Sequence, residues 1–204
     1  MKSLTDMTVA ILAGGQSRRF GTQKTAARLG GCSLLEHALS VARRLSDRIV
    51  IIGSIDETIL TDNIPIFPDI LPGNGPLCGI HTALAKAVTP WVAILPCDMP
   101  QMCPDIYRIL ASHRTDTDPV AAVSHTGLEP LVSLWSRSVE PFLRKMLERG
   151  QTSPITALDG LRAIRINIPE IMQTYDPAFF LNINTRQDLF EASTSSLRDE
   201  RHDA

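Results

Sequence analysis

Between residues 12 and 24 the chain gathers paired glycines, two arginines and a lysine into Leu12-Ala13-Gly14-Gly15-Gln16-Ser17-Arg18-Arg19-Phe20-Gly21-Thr22-Gln23-Lys24. Glycines let a backbone turn and approach a ligand with no Cβ in the way. Amide N–H groups in such a turn make an anion-binding concavity, and Arg19 and Lys24 add mobile positive charge around it. This is chemistry for holding a phosphate chain. The spacing fits neither common phosphate motif. A P-loop needs Gly-Lys-Ser/Thr, whereas Thr22 and Gln23 separate Gly21 from Lys24; the dinucleotide fingerprint needs alternating glycines, whereas Gly14 and Gly15 are adjacent.

A second candidate follows Trp91-Val92-Ala93-Ile94-Leu95, where Pro96-Cys97-Asp98-Met99-Pro100 sets one carboxylate between two stiffening prolines. Beside phosphates, a carboxylate there suits Mg²⁺, which takes one or two carboxylates plus phosphate oxygens and water. Asp98 could instead cap the next helix or close an Asx turn. Asp69, just past Ile64-Pro65-Ile66-Phe67, could bind a ribose or base, or start the turn through Pro72-Gly73-Asn74-Gly75. Gly75-Pro76-Leu77-Cys78-Gly79 opens a helix with proline pre-set for its first turn. In Asn182-Ile183-Asn184-Thr185-Arg186-Gln187, a capping box between Asn184 and Gln187 accounts for Asn184, which leaves Asn182 the better candidate for touching a ligand.

The elements that must position these residues alternate. Strands are predicted at Val9–Leu12, Ile49–Ile52, Ile64–Phe67, Trp91–Leu95, Val120–Val123, Leu131–Trp135 and Ala163–Ile168, the third near an edge because of its prolines. Helices are predicted at Ser33–Leu45, capped by Ser33 and Glu36, and at Gly79–Val88, Pro104–His113 and Ser138–Arg149. Continuous apolar strands belong to a mainly parallel sheet covered on both faces, with ligands beyond the carboxyl ends of its strands. The expectation is α/β: one Rossmann-like three-layer domain over residues 1–193, followed by a polar, disordered tail from 194 to 204.

With 204 residues, 44% hydrophobic content and a net charge of −2, the chain is sized for one core. Its bulk charge points to neither nucleic acid nor an anionic membrane, and no apolar run reaches membrane-spanning length. Cys32, Cys78, Cys97 and Cys103 form no Cys-x-x-Cys pair and read as reduced packing thiols of a cytoplasmic protein. His37, His81, His113, His125 and His202 show no metal or triad spacing and read as surface or core residues.

Leu12-Ala13-Gly14-Gly15-x-Ser17-x-Arg19-x-Gly21-x-x-Lys24, followed by Gly75-Pro76-Leu77-x-Gly79, Pro96-Cys97-Asp98-Met99-Pro100 and Asn182-x-Asn184-Thr185, resembles the nucleotidyltransferases of the molybdenum cofactor guanylyltransferase type. The likeness runs from about Thr8 to Leu189. It departs at Phe20, where the family has Met, at Gln23, where it has Asp, and at Glu129, where it has Gln or His. The resemblance implies a fold of the nucleotide-diphospho-sugar transferase type. It implies transfer of GMP from GTP to the phosphate of molybdenum-bearing molybdopterin, with release of pyrophosphate. Asp98 would hold Mg²⁺, while Arg19 and Lys24 neutralise the triphosphate and the leaving pyrophosphate. Leu12, Ala13, Gly14, Gly15, Asp69 and Gly75 would bind the nucleotide, and Asn182 and Asn184 would face the second substrate. Further expectations are a monomer served by proteins that supply molybdopterin or receive the dinucleotide. Two alternatives are a CTP-using cytidylyltransferase of molybdopterin or a sugar phosphate, and a nucleotide-binding protein without turnover.

Overall fold

The computed structural model describes residues 4–14, 24–55, 63–71 and 75–199. Nine strands are described: β1 (Met7–Leu12), β2 (Arg28–Leu29), β3 (Cys32–Ser33), β4 (Ile49–Ile52), β5 (Ile66–Phe67), β6 (Trp91–Pro96), β7 (Val120–Ser124), β8 (Gly127–Ser136) and β9 (Ile164–Asn167). The helices are α1 (Leu34–Arg43), α2 (Pro76–Lys86), α3 (Pro104–Ser112), α4 (Glu140–Glu148), α5 (Pro154–Gly160), α6 (Ile168–Ile171) and α7 (Arg186–Asp199). Seven strands form one sheet in the order β5-β4-β1-β6-β8-β7-β9. Only β8 runs against the others of this sheet, pairing antiparallel with both β6 and β7.

The apolar run Val9–Leu12 of β1 has a direct structural cause, and buried Thr8 before it is satisfied by the Thr89 hydroxyl at 2.7 Å. Val9 and Ile11 point into a core shared with α1 and α3, while Ala10 points into a second core shared with α2, α4 and α5. Successive residues of a strand face opposite sides, so a strand covered twice must be apolar at every position. The predicted three-layer, mainly parallel architecture is what the chain adopts.

Four details differ from the sequence expectations. The strand expected at Leu131–Trp135 is the longer β8, joined to β7 through His125 and Thr126 with Gly127 at φ +123°. Helix α2 starts at Pro76 rather than Gly79, because proline at the first helical position gives up an N–H that would have no partner anyway. The edge strand β5 is two residues long, although the Pro65 carbonyl still accepts from the Ile51 amide at 2.9 Å. Helix α7 continues past Thr194 to Asp199, where the sequence suggested an irregular tail.

The chain enters the sheet at β1, moves outward to β4 and β5, and returns to β6 on the other side of β1. The β1/β6 boundary is therefore the point where strand order reverses, the place where open α/β sheets bind ligands beyond their carboxyl ends. Backbone hydrogen bonds continue past the strands at this rim: Ala13 N–H to Ile52 O at 2.9 Å, Gly53 N–H to Phe67 O at 2.9 Å and Cys97 N–H to Leu12 O at 3.2 Å. Gly53 sits at φ +135°, and a Cβ there would lie 2.5 Å from the Gly14 nitrogen. By contrast, a Cβ on Gly14 would meet the Gly53 Cα at an ordinary 3.4 Å. Packing against the described residues therefore demands glycine at 53 but not at 14.

Gly53→Ala should lower unfolding free energy by about 2 kcal/mol, from backbone strain and the clash together. Gly14→Ala should stay within about 1 kcal/mol of the unsubstituted chain. Denaturant unfolding of both checks the assignment, and equal losses would refute it.

Candidate active site

Leu12 and Asp69, two of the residues expected to bind a nucleotide, converge because α2 approaches the rim at a glycine. A Cβ on Gly79 would touch Leu12 Cδ2 at 3.2 Å, Ile52 Cγ2 at 3.6 Å and Asp69 Oδ1 at 3.7 Å. The end of β1, the end of β4 and the Asp69 carboxylate thus share one corner against the first turns of α2. The Asp69 turn is fixed there by the Ile70 N–H, which donates to Thr82 Oγ1 at 3.0 Å. Burial in this corner pushes the Asp69 carboxyl above its ordinary range, partly opposed by His81. Burial, and then the nearby Asp69 charge, push the Cys78 thiol up as well.

Gly75, the residue before α2, adopts φ +144° with its Cα face against Thr152; a Cβ would come within 3.0 Å of that residue's Cβ and carbonyl oxygen. Its glycine is required by the loop between α4 and α5. The same two elements meet again at a buried pair. His81 Nε2 lies 2.7 Å from Glu140 Oε1, and Arg144 reaches the same carboxylate oxygen at 2.9 Å. The His81 side chain is fully buried, and its Nδ1 has no partner among the described residues. Burial raises the Glu140 carboxyl, but the contacts from Arg144 and His81 outweigh it and the net displacement is downward. His81 is thus a core residue with a charged partner. Its 59-residue separation from Glu140 left no local signal in the sequence.

On the other side of β1, the parallel register pairs Leu12 with Pro96. Gly14 and Asp98 each stand two residues beyond that pair, on neighbouring strands. The Asp98 carbonyl accepts from the Ile183 N–H at 2.8 Å, which brings Asn182 and Asn184 to the tip of β6. The expected capping box is displaced by one residue. Thr185 Oγ1 accepts from the Asp188 N–H at 3.1 Å, while Asp188 Oδ2 accepts from the Asn184 and Thr185 amides at 2.7 and 2.9 Å. Asp188 supplies the reciprocal carboxylate in place of Gln187, which bonds Glu191 instead. Capping therefore does not explain the Asn184 side chain, and both asparagines are exposed at the rim. Glu129 has a local role: its Oε1 accepts from Ser124 Oγ at 2.7 Å and Thr126 Oγ1 at 3.3 Å, which ties the β7–β8 turn.

The structure thus brings Leu12, Ala13, Gly14, Asp69 and Asp98 to one rim with Asn182 and Asn184. Gly15 and Arg19 lie outside the described residues, and Lys24 is described only as backbone, in the 3₁₀ turn Lys24–Ala26.

A model of the MobA-like NTP transferase domain matches residues 9–162. The chain belongs to this family. A relative from Carboxydothermus hydrogenoformans, named probable molybdenum cofactor guanylyltransferase, is 34% identical over 91% of this chain and 94% of its own. Among solved structures, molybdopterin-guanine dinucleotide biosynthesis protein A from Archaeoglobus fulgidus superposes with a TM-score of 0.78. It is 24% identical and covers 94% of this chain and 100% of its own. A Mycobacterium tuberculosis protein solved in complex with manganese superposes at 0.67 and is 17% identical, covering 94% of this chain and 100% of its own. At those identities the two structures speak for the fold.

An acid whose folded pKa lies above its unfolded value holds its proton more tightly when folded. Stability then falls as pH rises through that interval and stays reduced above it. Asp69→Asn should therefore raise the thermal midpoint at neutral pH, flatten the loss of stability just above the ordinary carboxylate range, and weaken nucleotide binding. Thermal unfolding across acidic to neutral pH, with and without nucleotide, measures all three. A lower midpoint at neutral pH would refute the assignment.

Proposed function

We propose that the chain transfers GMP from GTP to the terminal phosphate of molybdenum-bearing molybdopterin and releases pyrophosphate. The observation that carries this reading is the β1/β6 rim. There Leu12 and Pro96 are paired in parallel register two residues before Gly14 and Asp98, and the Ile183 amide of the Asn182–Asn184 segment donates to the Asp98 carbonyl. A crevice at a strand-order reversal is where α/β sheets bind nucleotides. Packing against the described residues does not demand glycine at 14, which agrees with close approach of a ligand there. The names of the relatives agree with the reaction.

In this reading an oxygen of the acceptor phosphate attacks the α-phosphorus of GTP in line, and the bond to the bridging oxygen of pyrophosphate breaks. A phosphate monoester is already anionic near neutral pH, so no protein base has to remove a proton. The chain's task is to align two anions and offset their repulsion. The backbone of Leu12 and Ala13 reads the base edge, Gly14 and Gly15 amides bracket the nucleotide, and Asp69 binds the nucleoside. Gly75 supports that side through the start of α2. Arg19 and Lys24 neutralise the triphosphate and the charge growing on pyrophosphate. Asn182 and Asn184 hold the acceptor.

Asp98 is the residue that would hold Mg²⁺. Among the described residues no three His, Cys, Asp or Glu side chains gather as a metal cluster. A cation at Asp98 would therefore take most of its oxygens from phosphate and water, as Mg²⁺ does. Bound there, Mg²⁺ would neutralise phosphate oxygens. Among the described residues no helix is long and apolar enough to cross a membrane. The reading places a monomeric enzyme in the cytoplasm, between proteins that supply molybdopterin and those that receive the dinucleotide.

Asp98→Asn and Lys24→Ala should each slow pyrophosphate release about 100-fold, the scale of losing one preorganised electrostatic contact. Near-normal turnover in either would refute that residue's role. Thermal stabilisation by GTP with Mg²⁺ should exceed that by CTP, and the reverse order would make this a cytidylyltransferase. Tight GTP binding with no pyrophosphate release in the presence of molybdenum-bearing molybdopterin would make it a binding protein.

A further inference from the structure

The turn between β7 and β8 carries a contact that the mechanism above leaves unused. His125 Nδ1 lies 2.7 Å from the Tyr175 hydroxyl, and the His125 amide N–H donates to the same oxygen at 3.3 Å. Tyr175 packs edge-on against Phe179 and tilted against Phe180, with ring centroids 6.5 and 6.3 Å apart. Phe180 is buried and ends the 3₁₀ turn Pro177–Phe180, whose start is capped by Asp176 Oδ1 accepting from the Ala178 amide at 2.8 Å. Two residues further on comes Asn182, and then Ile183, fully buried and bonded through its amide to the Asp98 carbonyl. Contacts therefore run from the β7–β8 hairpin tip through Tyr175 to Phe180, and the chain itself continues from Phe180 to Ile183, whose amide is bonded to the loop that carries Asp98.

The segment it reaches needs such support. Residues 181 to 185 have no regular secondary structure, and Asn182 and Asn184 are exposed. Short exposed stretches of that kind open locally at low cost unless both ends are fixed. The far end is fixed by the Thr185–Asp188 cap and the middle by Ile183. On the near side, the Leu181 amide donates to the Ala178 carbonyl at 3.1 Å, and Tyr175 packs against the Phe179 and Phe180 rings of the turn just before the segment.

We propose that Tyr175, held by His125, is a positioning residue for the acceptor half of the reaction, setting the place of Asn182 and Asn184 without touching substrate. Naming the acceptor rests on the guanylyl-transfer reading. The mechanical coupling from Tyr175 to Ile183 does not.

Tyr175→Phe removes only the hydroxyl, and His125→Ala removes its partner. Each should speed hydrogen exchange of the Ile183 amide by roughly three- to tenfold, the scale of one lost hydrogen bond, and leave the amides of β1 and β4 unchanged. Each should raise KM for molybdenum-bearing molybdopterin by a similar factor at unchanged GTP affinity. The double variant should be no worse than either single one, because both break the same contact. Unchanged Ile183 exchange, equal acceleration throughout the sheet, or additive effects would overturn the proposal. A wild-type preference for CTP would refute the guanylyl reading alone, since the exchange measurement still decides the coupling.

Discussion

Everything in this molecule is indexed to β1. It is the one strand whose two neighbours run parallel to it on opposite sides of a strand-order reversal, and its backbone ladder continues one residue beyond it on both flanks. That continuation fixes the height of Ala13 and Gly14 against Gly53 on one side and of Cys97 and Asp98 on the other. Because these are main-chain bonds between strands buried on both faces, the positions cannot slide without breaking both cores. Gly14 and Asp98, 84 residues apart in sequence, are thereby each set two residues beyond one paired position of β1 and β6.

The two halves of the rim are built by different means. On the proposed nucleotide side the elements approach backbone to backbone. Gly53 lies against Gly14, Gly79 lets α2 come down onto Leu12 and Asp69, and Gly75 fits against Thr152. Removing side chains brings rigid elements close enough for main-chain groups to reach a ligand. The proposed acceptor side is made of caps and rings: the Thr185–Asp188 box, the Ile183–Asp98 bond, and the aromatic group around Tyr175, all of them directional contacts. Between α2 and α4, buried His81 and partly buried Glu140 add an ionisable pair that neither half uses for chemistry.

The Asp69 carboxylate stands at the same rim against the first turns of α2, where partial burial raises its carboxyl above the ordinary range and His81 partly opposes the rise. In the proposed reaction this placement would set an acceptor group for the nucleoside before the nucleotide arrives.

Much of this was legible in the chain itself. Apolar runs of four to six residues between amphipathic helices dictated a doubly covered parallel sheet, because only such a sheet hides every side chain of a strand. The glycine-and-cation run after β1, the Pro-Cys-Asp tip of β6 and the Asn-x-Asn segment were visible because turn and tip chemistry is local in sequence. Tertiary structure alone decided which rim residues meet. The glycine required at 53 answers to Gly14, Gly75 answers to Thr152, His81 answers to Glu140, and Tyr175 answers to His125. Each of these partners lies from 39 to 77 residues away along the chain, so no spacing rule could pair them. The capping residue, too, was settled by which hydroxyl and carboxylate could reach the amides once Ile183 was bonded to Asp98. Local chemistry is written in the order of residues, whereas contacts between elements come into being only when the sheet sets those elements side by side.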